Sequence, residues 1–540
     1  MECVGAIDQG TQSTRFFLYD RNCQPLASAQ VEFPQIYPRA GWVEQCPLAI
    51  WASVQEAVGT ALEQALAQHG ELVVKAVGIT NQRETTIVWD RETGQPLHNA
   101  IVWLDNRTAP VCHALQKQLG SQDYFRPVTG LPISTYFSAY KLKWLLDNVP
   151  AVAQAAAEGR AAFGTVDSWL IWQLTGGAAG GLHATDVSNA SRTNLMDLQA
   201  LSWHQPTLEL FGVAPRMLPQ IRSNAEVYGT VKDGPLAGVP IAGCLGDQQA
   251  AMVGQRCAVH EAKNTYGTGC FMLLNTGQEL VQSSHGLLST LAFQLGADAA
   301  PHYALEGSIA IAGQGVSWLR DAVGFIGSAA ESETVAASVP DTGGVYFVPA
   351  FGGLLAPWWQ SDARGVIAGL TQYTTKAHIV RAMLEAVCFQ TLDVLDAMQQ
   401  DADCSELGAM FVDGGASQNN LLMQMQADIL QVPVRRPAHL ETTSLGAALA
   451  AGIGAGVWTA EEAFVDLKHN TGGTLFEPQI TRTAAERRHA KWKLVVQRSF
   501  ALAELTADLE CDSEQRPEAG GKGSAGSGSA AAAPAGPEAA

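Results

Sequence analysis

The chain alternates short runs of β-branched and apolar residues with longer stretches in which apolar residues recur every three or four positions. Residues 73–80, VVKAVGIT, have the composition of a largely buried strand. Residues 377–391, AHIVRAMLEAVCFQT, place apolar side chains at helical spacing. Repeated alternation of such segments predicts an α/β protein.

The same order of features occurs near both ends of the chain: an apolar run, an acidic residue before glycine, then small polar residues. The run VGAID at 4–8 leads into residues 14–20, which predict the second strand of a hairpin. The run MFVD at 410–413 leads into residues 419–430, which have helical spacing. Glycine suits turns whose backbone approaches a phosphate closely. A duplicated fold that clasps a nucleotide between two lobes would show this repeat.

A chain of 540 residues is too long for a single core, so we expect more than one domain. We predict a first domain over residues 1–254 and a second over residues 255–508. The remaining segment, 509–540, is dominated by Ser, Glu, Pro, Gly and Ala. Such a composition buries too little apolar surface to offset the entropy of ordering, which predicts a disordered tail.

Charge and hydropathy argue against two classes of partner. The formal charge is -19, from 33 basic and 52 acidic residues, which disfavours a nucleic-acid or anionic-membrane surface. The longest apolar stretch, around 445–457, is interrupted by four glycines and falls short of the roughly 20 residues of a membrane helix. We therefore expect a soluble globular protein with no nucleic-acid partner and no membrane insertion.

Cysteine usage and the N-terminus predict the compartment. The ten cysteines form no CxxC pair and no metal-like spacing with histidine, so we interpret them as reduced thiols. The chain opens on what reads as a core strand, with no basic segment and cleavage site before it. Both features predict a cytoplasmic protein.

A single carboxylate stands out in the segment GDQQA at 246–250. The preceding residues read as an apolar strand and the following ones as the start of a helix, so Asp247 is predicted to lie on a strand-to-helix turn. A side chain at such a turn can face a ligand. Two interpretations remain open from the segment alone: Asp247 is a catalytic base, or it caps the helix that follows.

Two further polar segments could bind ligands. The turn DQGTQSTR at 8–15 supplies a carboxylate, hydroxyls and a cation, which could hold phosphate oxygens, with Asp8 positioning Mg²⁺ through water. The alternative interpretation is that this turn belongs to an ordinary polar hairpin with no ligand. Arg83 and Glu84, at the end of the 73–80 strand, could present donors and acceptors to vicinal hydroxyls or form an exposed ion pair.

Several long motifs, in order along residues 3–500, resemble those of the FGGY carbohydrate kinase family, and within it the glycerol kinases. The matching segments are AIDQGTQSTRFFLYD (6–20), GITNQRETTIVWDRETGQPLHNAIVW (78–103), TGLPISTYFSAYKLKWLLDN (129–148), ATDVSNASRTNL (184–195), GDQQAA (246–251), KNTYGTGCF (263–271), SDARG (361–365) and VDGGASQNN (412–420). This resemblance implies two actin-like ATPase domains, of the ribonuclease H-like type, flanking a central cleft.

The resemblance also implies an activity, ATP-dependent phosphorylation of glycerol to sn-glycerol 3-phosphate in glycerol catabolism and the supply of glycerolipid precursors. Asp247 would be the general base, and Asp8 and Asp247 would hold Mg²⁺ through water. The family's glycerol contacts fall on Arg83, Glu84, Trp103, Tyr136, Asp247, Gln248 and Phe271. Its nucleotide contacts fall on Thr11, Gln12, Ser13, Arg15, Thr268, Gly313, Ser317, Gly415 and Asn419.

This chain departs from the family pattern at two of these positions. Gln12 stands where the family usually has threonine, and Ser317 where it often has glutamine. A glutamine in the phosphate turn keeps a donor but changes its reach, which predicts an altered affinity for ATP. Homodimers and homotetramers occur among the relatives, so the resemblance implies possible self-association.

Two rival functions remain open at the level of the sequence. One is a kinase of the same family that acts on another polyol or a ketose. The other is a binding or scaffold protein on the same fold, driven by a nucleotide without turning over a polyol, because fold alone does not determine function.

Overall fold

The architecture described here is that of a computed structural model, which describes residues 1–404, 407–466 and 472–505. The predicted tail, 509–540, lies outside the described residues. In this structure strands and helices alternate around two large sheets, one in each half of the chain, which confirms the predicted α/β class.

The first half contains fourteen strands and nine α-helices among its described residues. The strands are β1 (Glu2–Gln9), β2 (Ser13–Tyr19), β3 (Pro25–Glu32), β4 (Glu44–Gln45), β5 (Val73–Asn81), β6 (Ile87–Asp90), β7 (Ala100–Ile101), β8 (Ala161–Gly164), β9 (Ala184–Asp186), β10 (Met196–Asp197), β11 (Ser202–Trp203), β12 (Gln220–Arg222), β13 (Gly229–Thr230) and β14 (Pro240–Gly246). The helices are α1 (Pro47–His69), α2 (Ala109–Leu119), α3 (Arg126–Thr129), α4 (Ser138–Asn148), α5 (Pro150–Ala157), α6 (Val166–Leu174), α7 (Val187–Ser191), α8 (Gln205–Phe211) and α9 (Asp247–Gly254).

The second half contains nine strands and six α-helices among its described residues. The strands are β15 (Ala262–Tyr266), β16 (Cys270–Gly277), β17 (Leu288–Phe293), β18 (His302–Ile309), β19 (Tyr346–Val348), β20 (Val366–Ala368), β21 (Met410–Asp413), β22 (Val434–Arg436) and β23 (Thr474–Phe476). The helices are α10 (Gly313–Asp321), α11 (Glu331–Ala337), α12 (Lys376–Asp401), α13 (Asn420–Leu430), α14 (Thr442–Gly454) and α15 (Arg482–Gln497).

The two large sheets repeat one arrangement. The first has the strand order β13-β14-β5-β1-β2-β3, in which β1, β2 and β3 are antiparallel neighbours and β5 runs parallel to both β1 and β14. The second has the order β17-β18-β16-β15-β21-β22-β23, in which β15 pairs antiparallel with β16 and parallel with β21. The predicted hairpin at 4–20 and the predicted strand and helix at 410–430 are therefore confirmed.

Parallel strands place the predicted ligand segments at one edge of the first sheet. Gln9 of β1 pairs with Asn81 of β5, and Asn81 in turn pairs with Gly246 of β14. The three strands therefore end side by side. The polar turn after β1, the Arg83 segment after β5 and Asp247 after β14 all leave the sheet at this edge, as in other α/β sheets that bind ligands.

Helix α14 joins the two halves of the molecule. It follows β22 of the second sheet, yet it packs on β1, β5 and β14 of the first sheet and on α9. Glycines permit this close approach: a Cβ added at Gly446 would lie 1.8 Å from the carbonyl oxygen of Ala250, and one at Gly78 would lie 2.1 Å from that of Ala447. The division of the chain at residue 254 remains a prediction, since this helix contributes to both halves.

None of the described helices combines the length and the apolar composition that crossing a membrane requires. Helix α14, the most apolar segment of the sequence analysis, is instead buried between α9 and the first sheet. The nine described cysteines form no disulfide with one another.

Candidate active site

Asp247 is the first residue of α9, directly after β14. The N-cap is Gly246, and the Oδ1 atom of Asp247 accepts a hydrogen bond of 2.7 Å from the backbone N–H of Gln248. The interpretation of Asp247 as the helix cap is therefore wrong, although one of its oxygens accepts from a backbone N–H at the helix start. The side chain keeps 32% of its surface exposed, so its carboxylate can also reach a ligand.

Arg83 and Glu84 are both buried and form ion pairs with other residues of the chain. The alternative prediction, an exposed ion pair between them, is therefore wrong. The Arg83 Nε lies 3.2 Å from Oδ1 of Asp247. Its two terminal nitrogens donate to the Glu306 carboxylate at 2.6 and 2.9 Å. Glu84 accepts a 2.6 Å hydrogen bond from Nε of Arg192. Two carboxylates and two guanidinium groups therefore form one buried network beside Asp247.

The electrostatics of this network differ from group to group. Burial alone would raise the pKa of Glu306, but Arg192 and Arg83 lower it to about 2, so this carboxylate stays ionised. Burial raises the pKa of Asp247, and Arg83 and Lys263 oppose that shift. A carboxylate with a raised pKa accepts a proton more readily than one in water, which suits a general base.

Three aromatic side chains border the same site. The rings of Trp103 and Tyr136 lie 5.7 Å apart, and those of Trp103 and Phe271 lie 6.0 Å apart. The Arg192 guanidinium, which contacts Glu84, lies 5.5 Å from the Tyr136 ring, so the aromatic group adjoins the charged network. Gln248 connects with Phe271 through Lys263, which donates to the Gln248 Oε1 and to the Phe271 carbonyl. The seven predicted polyol residues are thus brought together.

The hairpin turn holds the predicted phosphate residues. Thr11 is linked to the aromatic group, because Nε1 of Trp103 donates to its hydroxyl at 3.0 Å. Gln12 is exposed and Ser13 is half-buried. Arg15 extends from β2, with one nitrogen 2.5 Å from Glu441 and another 3.5 Å from Asp8. The turn therefore adjoins the polyol residues on one side and carries a cation on the other.

Asp8 has the features of a group that would bind a cation. Its Oδ2 is buried and accepts no hydrogen bond from the described residues, although Arg15 lies within ion-pair distance. Burial raises the pKa of Asp8 to about 6; Arg15 opposes this shift, and the charges of Glu441 and Asp247 add to it. Two carboxylates whose charges disfavour each other fit a divalent cation, which would relieve their repulsion.

A separate cavity of about 600 Å³ lies in the second half of the chain. Its lining includes five of the nine predicted nucleotide residues, namely Thr268, Gly313, Ser317, Gly415 and Asn419. The other four residues lie on the hairpin turn and the start of β2 and do not line this cavity. Helix α10 begins at Gly313, where a Cβ would approach the carbonyl oxygen of Gly267 to 2.5 Å. The donor N–H groups of a helix start and a lining of small residues suit a nucleotide.

Asp413 does not face that cavity. Its Oδ2 accepts hydrogen bonds from Thr442 at 2.5 Å and from Gln255 at 3.0 Å, which ties β21 to α14 and α9. The acidic-glycine turn lies where the repeat in the sequence predicts it. Gly415, however, is the residue of this turn that reaches the cavity.

Sequence reasoning missed three charged residues of the site: Arg192, Lys263 and Glu306. Each is fully buried, and each contacts a predicted polyol residue. Lys263 and Glu306 lie on the largely buried strands β15 and β18, and a buried charge needs a partner. That signal was present in the sequence, but it did not identify the partner.

The chain is similar to known proteins along most of its length. The models of the "FGGY family of carbohydrate kinases" match its N-terminal domain to residues 3–254 and its C-terminal domain to residues 262–455. A glycerol kinase of Arabidopsis thaliana is 54% identical over 93% of this chain and 98% of that protein. A glycerol kinase of Brucella anthropi is 52% identical over 93% of this chain and 99% of that protein.

Solved structures show the same relationship. The glycerol kinase of Plasmodium falciparum, solved with ADP, has 37% sequence identity and a TM-score of 0.87 over 92% of this chain and 98% of that chain. A xylulose kinase of Lactobacillus acidophilus shares the fold at 22% identity and a TM-score of 0.78, over 94% of this chain and 99% of that chain. These neighbours confirm the predicted fold class of two actin-like ATPase domains. The chain belongs to the FGGY family of carbohydrate kinases.

Proposed function

We propose that this protein is a glycerol kinase, which transfers the γ-phosphoryl group of ATP to glycerol and forms sn-glycerol 3-phosphate. One observation carries the proposal: Asp247, a partly exposed carboxylate of raised pKa at the edge where β1, β5 and β14 end, contacts Arg83 of a buried charged network that adjoins a group of aromatic rings. Relatives named glycerol kinase, more than half identical over almost their full length, support it.

The polyol residues match a small triol. Charged and amide groups of Arg83, Asp247 and Gln248 can exchange hydrogen bonds with hydroxyl groups, while Trp103 and Phe271 pack against the carbon chain. Holding the reacting hydroxyl in one orientation supplies much of the rate enhancement of a transfer reaction. The buried ion pairs behind Arg83 keep it from moving, because Glu306 fixes both of its terminal nitrogens.

Asp247 would act as the general base. As the terminal hydroxyl oxygen of glycerol forms a bond with the γ-phosphorus, its proton passes to the Asp247 carboxylate. The bond between the γ-phosphorus and the oxygen bridging to the β-phosphate breaks, and ADP leaves with that electron pair. Arg15, on β2 beside the hairpin turn, can then stabilise the charge that develops on the phosphate oxygens.

The phosphate and metal sites are assigned by the same reasoning. Thr11, Gln12 and Ser13 would contact the phosphates, and Asp8 and Asp247 would hold Mg²⁺ through water. Bound Mg²⁺ neutralises charge on the phosphate oxygens. The buried Oδ2 of Asp8 is an oxygen ligand of the kind that Mg²⁺ prefers.

The rest of the nucleotide would occupy the 600 Å³ cavity. Thr268, Gly313, Gly415 and Asn419 contribute small groups and hydrogen-bonding atoms to its lining. Ser317, at one of the two departures from the family, is shorter than glutamine. It leaves more room at that wall, which would change the affinity for ATP rather than the transfer chemistry.

The test is glycerol-dependent ADP formation by the wild type beside Asp247→Asn. Loss of a general base should lower kcat by about 10²- to 10⁴-fold while ADP binding persists. Asp298→Asn, at an exposed loop position, is the matched control and should be unaffected. Unchanged turnover in Asp247→Asn would refute the base assignment, and faster turnover of a five-carbon sugar than of glycerol would refute the substrate.

A further inference from the structure

Lys263 is a fully buried lysine on β15 whose three N–H groups all have acceptors. It donates to Oε1 of Gln248 in a short contact, to the hydroxyl of Thr265 at 2.9 Å and to the carbonyl oxygen of Phe271 at 3.4 Å. All three acceptors are neutral groups. Two of them belong to residues proposed to contact glycerol, so this lysine connects a strand of the second sheet with two parts of the polyol site.

The contact with Lys263 determines how the Gln248 amide is oriented. An ammonium group only donates hydrogen bonds, so the amide atom that faces Nζ is the oxygen. The amide nitrogen, with its two N–H groups, must then point the opposite way. Gln248 is 6% exposed, and its Nε2 donates to none of the described residues. A buried amide of this kind has donors ready for a ligand.

The neighbouring glutamine provides an internal comparison. Gln249 donates through Nε2 to the carbonyl oxygen of Leu291 at 3.0 Å. Its Oε1 accepts from Arg83 at 3.4 Å. Both ends of the Gln249 amide are thus used within the protein, which makes it part of the framework. Of the two adjacent amides, Gln248 is the one whose donors are directed elsewhere.

We propose that Lys263 is a positioning residue that fixes the Gln248 amide with its N–H groups towards glycerol. Gln248 then donates to the oxygen of the hydroxyl next to the one that Asp247 deprotonates. Donor and acceptor, side by side at the start of α9, match two vicinal hydroxyl groups. Lys263 also fixes the backbone of Phe271, one of the aromatic residues of the site. This inference rests on the proposed function and refines its specificity.

Removing the ammonium group tests the orientation. Lys263→Met keeps the length of the side chain but frees the amide to rotate, and we expect the KM for glycerol to rise roughly tenfold. The KM for ATP should change less than about twofold, because the lysine acts through polyol residues. A folded Lys263→Met enzyme with the wild-type KM for glycerol would overturn the proposal.

A double variant distinguishes positioning from a general structural effect. If Lys263 acts mainly through the amide, Lys263→Met should raise the KM for glycerol much less when Gln248→Leu is present than in the wild type, the remainder arising from its contact with Phe271. Full additivity of the two effects would overturn the proposal.

Gln248→Glu covers the case in which Lys263→Met does not fold. The carboxylate can still accept from Lys263, yet it has no N–H to offer, so we expect a similar loss of glycerol affinity at an unchanged Tm. A wild-type KM in this variant would show that no donor is needed and would overturn the proposal. The wild type is assayed in parallel: absence of any glycerol turnover would contradict the proposed function itself, whereas normal turnover with insensitive variants would contradict only this inference.

Discussion

The Glu306 carboxylate accepts two hydrogen bonds from the Arg83 guanidinium, at 2.6 and 2.9 Å, and a third from Arg192 at 3.2 Å. Glu306 lies on β18 of the second sheet, whereas Arg83 follows β5 of the first sheet. The contact therefore joins the two halves of the molecule at the polyol site. All three residues are buried, so solvent cannot replace a lost partner.

Glu306→Gln should destabilise the fold and weaken glycerol binding together. The variant replaces the carboxylate shared by two buried guanidinium groups with a neutral amide, and only Asp247 and Glu84 remain as their charged partners. Removal of one partner from a buried ion pair costs up to about 3–5 kcal/mol. The KM for glycerol should rise because Arg83 is no longer fixed. Denaturant unfolding and steady-state kinetics measure the two effects. Asp321→Asn, which breaks an exposed pair with Arg320, is the control and should leave both unchanged; the same behaviour in Glu306→Gln would contradict the argument.

Trp103→Phe should affect the nucleotide more than glycerol. The replacement keeps an aromatic ring beside Phe271 but removes the 3.0 Å hydrogen bond from Nε1 to Thr11 on the phosphate turn. We expect the KM for ATP to rise by about two- to tenfold, which corresponds to one hydrogen bond. Trp172→Phe is the control, because the Trp172 Nε1 makes no hydrogen bond to the described residues. An unchanged KM for ATP in Trp103→Phe would show that Thr11 is positioned without this bond.

Local sequence pattern predicted the residues that leave the ends of strands. Asp8, Arg83 and Asp247 each follow or end an apolar run, and parallel pairing of β1, β5 and β14 places such positions at one edge of the sheet. That relationship needs only the strand assignment and the direction of the strands. The hairpin, the strand-to-helix turn at Asp247 and the helix after β21 were predictable for the same reason.

Partners that come from distant segments were not predictable from this pattern. Glu306 contacts Arg83 over 223 positions of the chain, and nothing in the β18 sequence identifies that guanidinium. For Asp413, the position was predicted correctly but the partner of its carboxylate was not. Its turn was predicted correctly, but Thr442, 29 residues further on, occupies the carboxylate, because α14 returns to pack against the first sheet.

Asp8→Asn should increase the concentration of Mg²⁺ required for half-maximal activity. The change removes the negative charge of an oxygen that is buried and accepts no hydrogen bond from the described residues. Affinity for a hard divalent cation depends on such charged oxygens. Titration of Mg²⁺ at saturating ATP and glycerol measures the shift, with Asp298→Asn as the unaffected control. An identical Mg²⁺ dependence in Asp8→Asn and the wild type would remove Asp8 from the metal site.

Gly446→Ala should destabilise the contact between α14 and α9. The added Cβ would lie 1.8 Å from the carbonyl oxygen of Ala250, so one of two buried helices must move. Such overpacking costs about 1–3 kcal/mol or more when backbone atoms are involved. Gly59→Ala within α1 is the matched control, because its Cβ would meet nothing within 4 Å; alanine there should stabilise slightly. Equal melting temperatures of Gly446→Ala and the wild type would contradict the packing described for α14.

A pH-dependent stability should arise from Asp167, behind the first sheet. Burial and, to a smaller extent, the charge of the adjacent Asp186 raise its pKa to about 7, against the opposing effect of the hydrogen bonds that the hydroxyls of Thr165 and Thr185 donate to it. In the unfolded chain the same carboxyl ionises near pH 3.8. Its contribution to stability is therefore complete below about pH 4 and is lost as the pH rises through about 7.

The neutral amide of Asp167→Asn does not titrate, so this variant should lack that part of the pH dependence. Relative to the wild type, the free energy of unfolding of the variant should rise between pH 4 and pH 7, by an amount of the order of a few kcal/mol, and stay level above pH 7. Titrating groups distant from Asp167 contribute equally to both proteins and cancel in the difference, whereas Asp186 interacts with Asp167 and its altered titration is part of the measured effect. Urea unfolding at a series of pH values measures it. Parallel profiles would mean that Asp167 is already ionised in the fold, with its charge stabilised by Thr165 and Thr185 alone.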